Sequence, residues 1–302
     1  MDGALPQRTG HHMPGGPPSR TAEQDALLRA LESARPEGQR LFHDPLARAF
    51  LGQPLALVAA LGSLPGVGAA VSRLVDWRWP GLRTAAAART RLIDEAVTGA
   101  LSEPVEQLVL LGAGFDSRAY RLHGARRASV FEVDQPDPQR VKRVVLARVL
   151  SAPAAHVRFV PTDVGQRELE AGMRAAGYRE AARTFFLWEG VTEAAVDVTL
   201  RWCARAAAGS QLLFTYVHVD ALRRAQALFG AERLFGPLAR AGERPTFGMD
   251  PTELPAFLGE RGLTLERDVG AAEYRQRYFG DAARLMRGHE FHHVAQARVS
   301  AR

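Results

Sequence analysis

Two glycines and one acidic residue are the residues of this chain best suited to bind a nucleoside. Gly112 and Gly114 follow a short apolar run over 108–111, which predicts a buried strand that ends in a tight turn. Because glycine has no Cβ atom, a ligand can approach the backbone of this turn closely. Asp134 ends the next predicted strand, where a carboxylate can accept hydrogen bonds from both hydroxyls of a ribose.

The residue three positions after the second glycine separates two classes of ligand. A dinucleotide fingerprint has a third glycine there, so that the helix packs closely around a pyrophosphate. Ser117 occupies the position, and the sequence therefore favours a nucleoside without phosphates, such as S-adenosylmethionine, over a nicotinamide dinucleotide. A third interpretation stays open, in which the glycines form only a strand-to-helix turn and Asp134 caps the helix that begins near Pro136.

Arg89 is a candidate for meeting an anion inside the protein. It lies in a helix predicted from Thr84 to Ala100, and its spacing to Leu92 and Ile93 places it on the face that packs inward. The side chain can run along that face and keep its charge in water, or its guanidinium can bind a ligand carboxylate. Both interpretations remain open at this point.

Two further acidic residues follow predicted strands. Asp163, with Val164 next to it, follows a strand over 157–160, and Glu189 follows a strand over 184–188. The carboxyl ends of parallel strands meet at one edge of the sheet, which is where ligands bind in doubly wound folds. Asp163 can equally be the N-cap of the helix that follows.

Tyr216 and His218 are the candidate catalytic residues. They are two positions apart at the end of a strand over 211–218, so their side chains share one face of that strand. There they can line an acceptor pocket, and His218 is placed to remove a proton from an acceptor hydroxyl. Plain burial of either side chain is an equally good explanation.

The elements that position these residues alternate between strand and helix, which predicts an α/β fold with a mostly parallel sheet and helices on both faces. Residues 1–19 are rich in Gly and Pro and are expected to be disordered, whereas 20–302 are expected to form a single domain. Its parts are a helical extension or lid over 20–101 and a core over 102–302 with a cap insertion over 220–250. The predicted strands are 108–111, 129–133, 157–160, 184–188, 211–218, 263–269 and 292–299.

Composition excludes several functional classes. The 302 residues are 46% hydrophobic and 24% charged, and no apolar stretch approaches the roughly 20 residues of a membrane span, so we expect no membrane partner and a cytoplasmic location. Cys203 is the only cysteine, which excludes an internal disulfide and argues against a metal site. The net charge of +6 comes almost entirely from arginine, without a basic block interleaved with aromatic residues, so we expect no nucleic-acid partner.

In combination, the motifs resemble the leucine carboxyl methyltransferase and polyketide carboxyl methyltransferase family. The similarity covers nearly the whole chain, and its most specific parts are GAGFDSRAYRL followed by FEVDQP, with ARTRLIDEAV before them and PTDV and LWEGV after them. The resemblance implies a seven-stranded class I methyltransferase fold and S-adenosylmethionine as the cofactor.

The resemblance also implies a role for each matching residue. Arg89 would bind the methionine carboxylate, and Gly112, in the loop with Gly114, would lie along the cofactor. Asp134 would hold the ribose, Asp163 and Val164 would surround the adenine, and Glu189 would face the methionine end.

The chain departs from related sequences directly after Glu189-Gly190. Those sequences usually continue with a segment that contains a tyrosine, whereas here Val191-Thr192 leads straight into the helix predicted from Glu193. A member of the fold that binds the cofactor but has impaired catalysis therefore stays an alternative, as does a nicotinamide-dependent oxidoreductase.

The expected reaction is methylation of an oxygen on a small-molecule acceptor. A carboxylate is favoured over a hydroxyl, because it is ionised at neutral pH and the sequence offers no evident Asp-His pair to act as a base. The sequence indicates neither the identity of the acceptor nor the oligomeric state.

Overall fold

The apolar runs of the chain form one sheet whose central strands are buried on both faces. Every residue of the first and fourth strands is buried, as expected for parallel strands with helices on either side. The computed structural model describes residues 20–164, 168–224, 226–240 and 245–300, so the predicted disordered tail lies outside the described residues. The strands are β1 Gln107–Leu111, β2 Ser129–Asp134, β3 Val157–Pro161, β4 Thr184–Trp188, β5 Gln211–His218, β6 Gly248–Met249, β7 Leu263–Gly270 and β8 His292–Val299.

The strand order brings the ends of β1, β2 and β4 together. The order is β3-β2-β1-β4-β5-β8-β7, with the two-residue β6 beside β5. Among the described strands, β8 runs in the opposite direction to all the others, which point the same way. The carboxyl ends of those other strands therefore share one edge of the sheet. The expected seven strands are thus present, and β6 is an eighth that the sequence did not indicate.

Helices cover both faces of the sheet. One face packs against α7, α8 and α11, and the other packs against α4 and α12. Helices α1, α2 and α3, which lie in the predicted extension over 20–101, share a separate core with the start of α4 and part of α6. The described helices are α1 Arg20–Ser33, α2 Leu55–Gly62, α3 Gly68–Arg78, α4 Leu82–Ser102, α5 Arg118–Arg121, α6 Pro136–Val149, α7 Glu168–Ala175, α8 Glu193–Cys203, α9 Val219–Arg223, α10 Ala231–Arg240, α11 Leu254–Gly259 and α12 Ala271–Phe279.

Within these ranges, none of the helices combines the length and the apolar character needed to cross a bilayer. The same ranges contain no group of three or more His, Cys, Asp or Glu side chains arranged to hold a metal ion.

Helix α6 presents a different face to the sheet from the one that its valines predict. The spacing of Val141, Val144, Val145 and Val149 predicts one apolar stripe. Val144 and Val149 are nevertheless 47% and 44% exposed, whereas Val141 and Val145 are half-buried and pack against the core of α1 to α3. The buried face carries Gln139, Leu146 and Lys142, which is the only lysine of the chain and lies 2.8 Å (Nζ to Oε2) from Glu132 on β2. Lys142 and Glu132 are both almost completely buried.

Removal of one member of this pair leaves the other as an uncompensated buried charge. We expect Lys142→Met to lower the free energy of unfolding by about 3–5 kcal/mol, and the double variant Lys142→Met/Glu132→Leu to recover part of that loss. Urea denaturation measures both, with Arg140→Met as the control, since Arg140 pairs with Asp137 at the exposed surface of the same helix. Equal losses for the Lys142 and Arg140 variants would contradict a structural role for the buried pair.

Candidate cofactor-binding site

The turn after β1 has a backbone that favours glycine and leaves open space above it. Gly112 and Gly114 have φ angles of 65° and 40°, in the left-handed region that side chains other than glycine rarely adopt. A Cβ atom at either position would meet nothing closer than 3.8 Å. The turn is therefore a cradle that a ligand can approach directly.

A cavity of about 280 Å³ lies over this turn. The ends of β1, β2 and β4 form its floor, and α1 closes one side. Its lining combines the backbone of the turn and apolar side chains such as Leu111 and Leu187 with several charged side chains. The lining includes Asp25, Gly112, Gly114, Asp116, Arg118, Asp134 and Glu189.

Asp134 lies at the edge of the cavity and is held by two backbone groups. Its Oδ2 accepts a hydrogen bond from Gly114 N–H at 2.8 Å, and its Oδ1 accepts one from Gln135 N–H at 2.8 Å. Each carboxylate oxygen can accept a further bond, so the side chain is fixed but can still receive two hydroxyl donors. Burial raises the pKa of Asp134 above its usual value, and the two N–H donors offset only part of that effect.

The main charged interaction of the site is centred on Arg118, which is 4% exposed. Its Nη1 donates to Asp116 Oδ2 at 2.6 Å and to Glu189 Oε1 at 2.7 Å, and its Nε donates to Asp94 Oδ1 at 2.8 Å. One guanidinium thus connects the glycine turn, the end of β4 and helix α4. Because the group is always charged and planar, it fixes the direction of all three carboxylates.

A second arginine connects this network to the helical extension. Arg121 donates to both oxygens of Asp94 at 2.6 and 2.7 Å and to Ser117 Oγ at 3.0 Å. Ser117 in turn donates to Asp44 Oδ2 at 2.6 Å, and Asp44 also accepts from Arg29 of α1 at 2.9 Å. The residue at the position of the third dinucleotide glycine is therefore a member of a buried hydrogen-bond network.

Arg89 faces inward, as one of its two interpretations predicts. Its side chain is 12% exposed, and its Nε lies 3.5 Å from Glu189 Oε2, while its Nη2 lies 3.9 Å from Asp25 Oδ1. The structure thus brings Arg89 and Glu189 together at the end of β4. Both contacts are loose, so the guanidinium can still bind a further anionic group.

Asp163 and Val164 lie near the cavity without lining it. Asp163 is close enough to Asp134 to raise the pKa of that carboxyl group, and Val164 packs against the core on the face of α7 and α8. Their expected contact with the adenine stays a prediction.

Tyr216 and His218 make hydrogen bonds outside the described cavity lining. Tyr216 Oη donates to Asp268 Oδ2 at 2.9 Å, and His218 Nδ1 accepts from Asp220 N–H at 3.2 Å. The same Asp268 oxygen lies 2.9 Å from Nδ1 of His293 on β8. The structure therefore contains an Asp-His pair, contrary to the sequence-based expectation, while catalytic roles for Tyr216 and His218 stay predictions.

Asp44, Asp94, Arg118 and Arg121 belong to the site but were not predicted from the sequence. Asp94 follows Arg91 at the helical spacing of an ordinary surface ion pair, which hides its role. A signal was present around Arg118, because Asp116, Arg118 and Arg121 lie within six residues directly after a predicted buried strand. Charges at that density beside a buried strand require mutual compensation.

The strand order, with β8 antiparallel between β5 and β7, is that of a class I methyltransferase fold, and the glycine turn and the acid at the end of β2 lie at the edge where such a sheet binds its ligand. Comparison with solved structures agrees on the fold. A methyltransferase from Thermobifida fusca aligns over 91% of this chain and 94% of its own, with a TM-score of 0.57 and 17% identity. A DUF574 family protein from Streptomyces avermitilis aligns over 89% and 99%, with a TM-score of 0.54 and 14% identity.

Sequence comparison is more specific. The profile of the leucine carboxyl methyltransferase family matches residues 22–203. A protein from Parafrankia assigned to the S-adenosyl-L-methionine-dependent methyltransferases is 32% identical over 278 residues, which cover 88% of this chain and 84% of that protein. A relative from Streptomyces coelicolor with the same assignment is 35% identical and covers 65% and 68%. The chain belongs to the leucine carboxyl methyltransferase family and is an S-adenosylmethionine-dependent methyltransferase.

The arginine network predicts how the free energy of unfolding depends on pH. Burial alone would raise the pKa of Asp116, but Arg118, Lys142 and the Arg118 N–H outweigh it and lower the pKa to about 2 from 3.8. A lowered pKa contributes stability that is present above pH 3.8 and is lost as the pH falls towards 2, here about 2 kcal/mol.

We therefore expect Asp116→Asn to be less stable than the wild type at pH 5 and to lose most of this difference by pH 2. Denaturant titrations at both pH values measure the free energies of unfolding. Asp281→Asn is a control, because Asp281 forms an exposed ion pair with Arg284. A difference that is the same at both pH values would show that Asp116 is not held as a carboxylate by Arg118.

Proposed function

We propose that this enzyme methylates an oxygen atom of a small-molecule acceptor, and that the oxygen belongs to a carboxylate. When bound, S-adenosylmethionine supplies a methyl group on a sulfonium centre, and departure of that methyl group leaves a neutral thioether. The contribution of the protein is then to bring the acceptor close, to orient it and to exclude water.

The described residues fit the cofactor in the following way. Asp134 accepts hydrogen bonds from the ribose hydroxyls, and the open turn at Gly112 and Gly114 receives the nucleoside. Arg89 binds the methionine carboxylate, and Glu189 faces the amino group. Asp163 and Val164 flank the adenine beyond β3.

The observation that carries the choice of a carboxylate is the chemistry of the cavity lining. No histidine is among the described residues that line the cavity. Asp116 and Glu189 are bound by Arg118, so these two carboxylates are poorly placed to take a proton. In the proposed arrangement Asp134 is occupied by the ribose, and Asp25 faces Arg89 at 3.9 Å on the α1 side of the cavity. A carboxylate acceptor is already ionised at neutral pH and can attack the methyl group without a base.

The cover over the methyl group comes from two parts of the chain. The helical extension over 20–101 contributes Asp25 to the cavity wall, and α10 lies in the insertion over 220–250. We propose that these parts act as a lid and a cap on one domain, since the sheet edge alone would leave the reacting atoms in water.

The Asp268–His293 pair supports a hydroxyl acceptor as the second candidate. A carboxylate that holds Nδ1 of a histidine leaves Nε2 free to accept a proton, which is the arrangement of a general base. The rings of His293 and His218 are 6.1 Å apart, so both histidines lie at the same edge of β5 and β8.

The chemistry of the product separates the two candidates. Incubation with methyl-labelled S-adenosylmethionine and a panel of small carboxylic acids and phenols should give a product that loses its label in mild base, because a methyl ester hydrolyses and a methyl ether does not. We expect His218→Ala, His293→Ala and the exposed control His123→Ala to keep the rate within about threefold. A product stable to base, whose formation collapses in His218→Ala or His293→Ala, would replace the carboxylate with a hydroxyl.

A further inference from the structure

Four polar side chains, of which three are buried and His292 is half-buried, carry buried hydrogen-bonding atoms without a partner among the described residues. They are Tyr274 and Arg275 on α12, His289 in the loop before β8, and His292 at the start of β8; we refer to them as the buried polar cluster. The unpartnered atoms are Tyr274 Oη, Arg275 Nε and Nη1, His289 Nδ1 and His292 Nδ1. Native proteins leave few such groups unpaired, because each costs about 1–3 kcal/mol.

The members of the cluster come from separate segments and are packed at close range. The rings of His289 and His292 are 6.4 Å apart. A Cβ atom at Gly288 would lie 2.5 Å from Arg275 Nη1, and a Cβ atom at Gly230 would lie 2.2 Å from the His289 ring. Both glycines are therefore required for the close approach of the backbone to these two side chains.

The position of the cluster matches that expected for an acceptor. Gly230 precedes α10 in the insertion over 220–250, and a Cβ atom at Gly81, in the turn before α4, would lie 2.8 Å from the Gly288 backbone. The extension and the insertion thus meet at this point. Tyr274 packs in the same apolar core as Ala88 and Leu92, which flank Arg89 on α4. The charge of Arg89 also acts on Tyr274, His289 and His292.

The charge of the cluster favours an anion. Arg275 is 8% exposed. Its Nη2 lies 4.0 Å from Oε1 of Glu290, whose side chain is half exposed. Burial, with the positive charge of Arg89, lowers the pKa of His289 to about 4 and that of His292 well below its usual value, so both rings are neutral at pH 7. A water molecule would satisfy a donor but would not compensate the buried positive charge of Arg275.

We propose that the buried polar cluster binds the carboxylate of the methyl acceptor, with Arg275 as the charged partner and Tyr274 as a hydroxyl donor. This inference rests on the proposed carboxyl methylation and assigns the residues that bind the acceptor. The anion of the acceptor enters between α12 and the loop before β8. Among the described residues, the cluster combines the buried guanidinium of Arg275, whose Nε and Nη1 have no partner, with the unpartnered hydroxyl of Tyr274.

Calorimetric titration of small carboxylates tests the proposal without knowledge of the natural acceptor. Formate, acetate and benzoate are titrated into the full chain saturated with S-adenosylhomocysteine, with formamide, acetamide and benzamide as neutral isosteres. We expect at least one carboxylate to bind and its amide to bind at least about tenfold more weakly, because a hydrogen bond to a charged group is lost.

The variants locate the binding site. Arg275→Met should weaken carboxylate binding by at least about tenfold. Arg277→Met is the matched control, since it removes the same charge from the exposed side of the same helix, where Arg277 pairs with Glu95. It should leave carboxylate binding unchanged. Tyr274→Phe removes one oxygen atom only and should weaken binding by about threefold or more, which keeps the test available if Arg275→Met does not fold.

Three results would overturn the proposal. These are no binding of any carboxylate to the wild type, equal affinity in the wild type and the cluster variants, or a loss in those variants of affinity for S-adenosylhomocysteine, which would assign the cluster to the cofactor. The outcome is distinct from that of the proposed reaction. A base-labile product that forms with unaltered kinetics in Arg275→Met would support carboxyl methylation and contradict the role of the cluster. Binding of a carboxylate at the cluster, together with a base-stable product, would support the role of the cluster and contradict carboxyl methylation.

Discussion

The site depends on one constraint. The negative charges of the carboxylates at one edge of the sheet must be compensated. Parallel strands bring their carboxyl ends together, and here that edge carries Asp116, Asp134 and Glu189 around a single cavity. Carboxylates this close repel one another unless cations or N–H donors hold them. Arg118 supplies most of that compensation, and its contacts also fix the turn after β1, the end of β4 and helix α4 relative to one another.

The same constraint connects the helical extension to the core. Arg121 and Ser117 continue the network to Asp44, and Arg29 of α1 binds both Asp44 and the carbonyl oxygen of Phe115. The extension is thus joined to the cofactor loop by buried polar contacts in addition to apolar packing. Movement of α1 away from the cavity would leave several of these charges unpaired, so the contacts hold the cavity wall in place.

The sequence predicted the fold well because most of its strands are short apolar runs ended by Gly, Pro or Asp. Strands β4, β5 and β8 have the predicted bounds, and β1, β2, β3 and β7 agree within one residue at each end. The two-residue β6 has no such pattern. The apolar stripe predicted for α6 was wrong for Val144 and Val149, because periodicity counts apolar residues and gives no weight to a buried ion pair such as Lys142–Glu132.

The site was predictable only where each residue acts alone at a strand end. Gly112, Gly114, Asp134 and Glu189 could be found in this way, because strand order places them on one edge. The partners of Arg118 could not, since Asp94 is 24 residues from it in the chain and Glu189 is 71 residues from it. Tertiary packing likewise created the Asp268–His293 pair, which joins β7 to β8.

The short connection after β4 shifts the source of contacts to the acceptor. Gly190 donates its N–H to Thr215 Oγ1 at 3.2 Å, and α8 begins three residues later, so this loop contributes no tyrosine of its own. In the proposed acceptor site, the contacts come instead from α12 and from the loop before β8, which carry the buried polar cluster.

The central claim is that the glycine turn and Asp134 form the S-adenosylmethionine site. Calorimetric titration of S-adenosylmethionine into the wild type, Asp134→Asn and the surface control Asp197→Asn tests it most directly. The account predicts that Asp134→Asn weakens binding by about 1–3 kcal/mol, because charge-assisted bonds to the ribose become neutral ones, and that the control binds as the wild type does. Equal affinity in all three proteins would contradict the assignment of Asp134 to the cofactor.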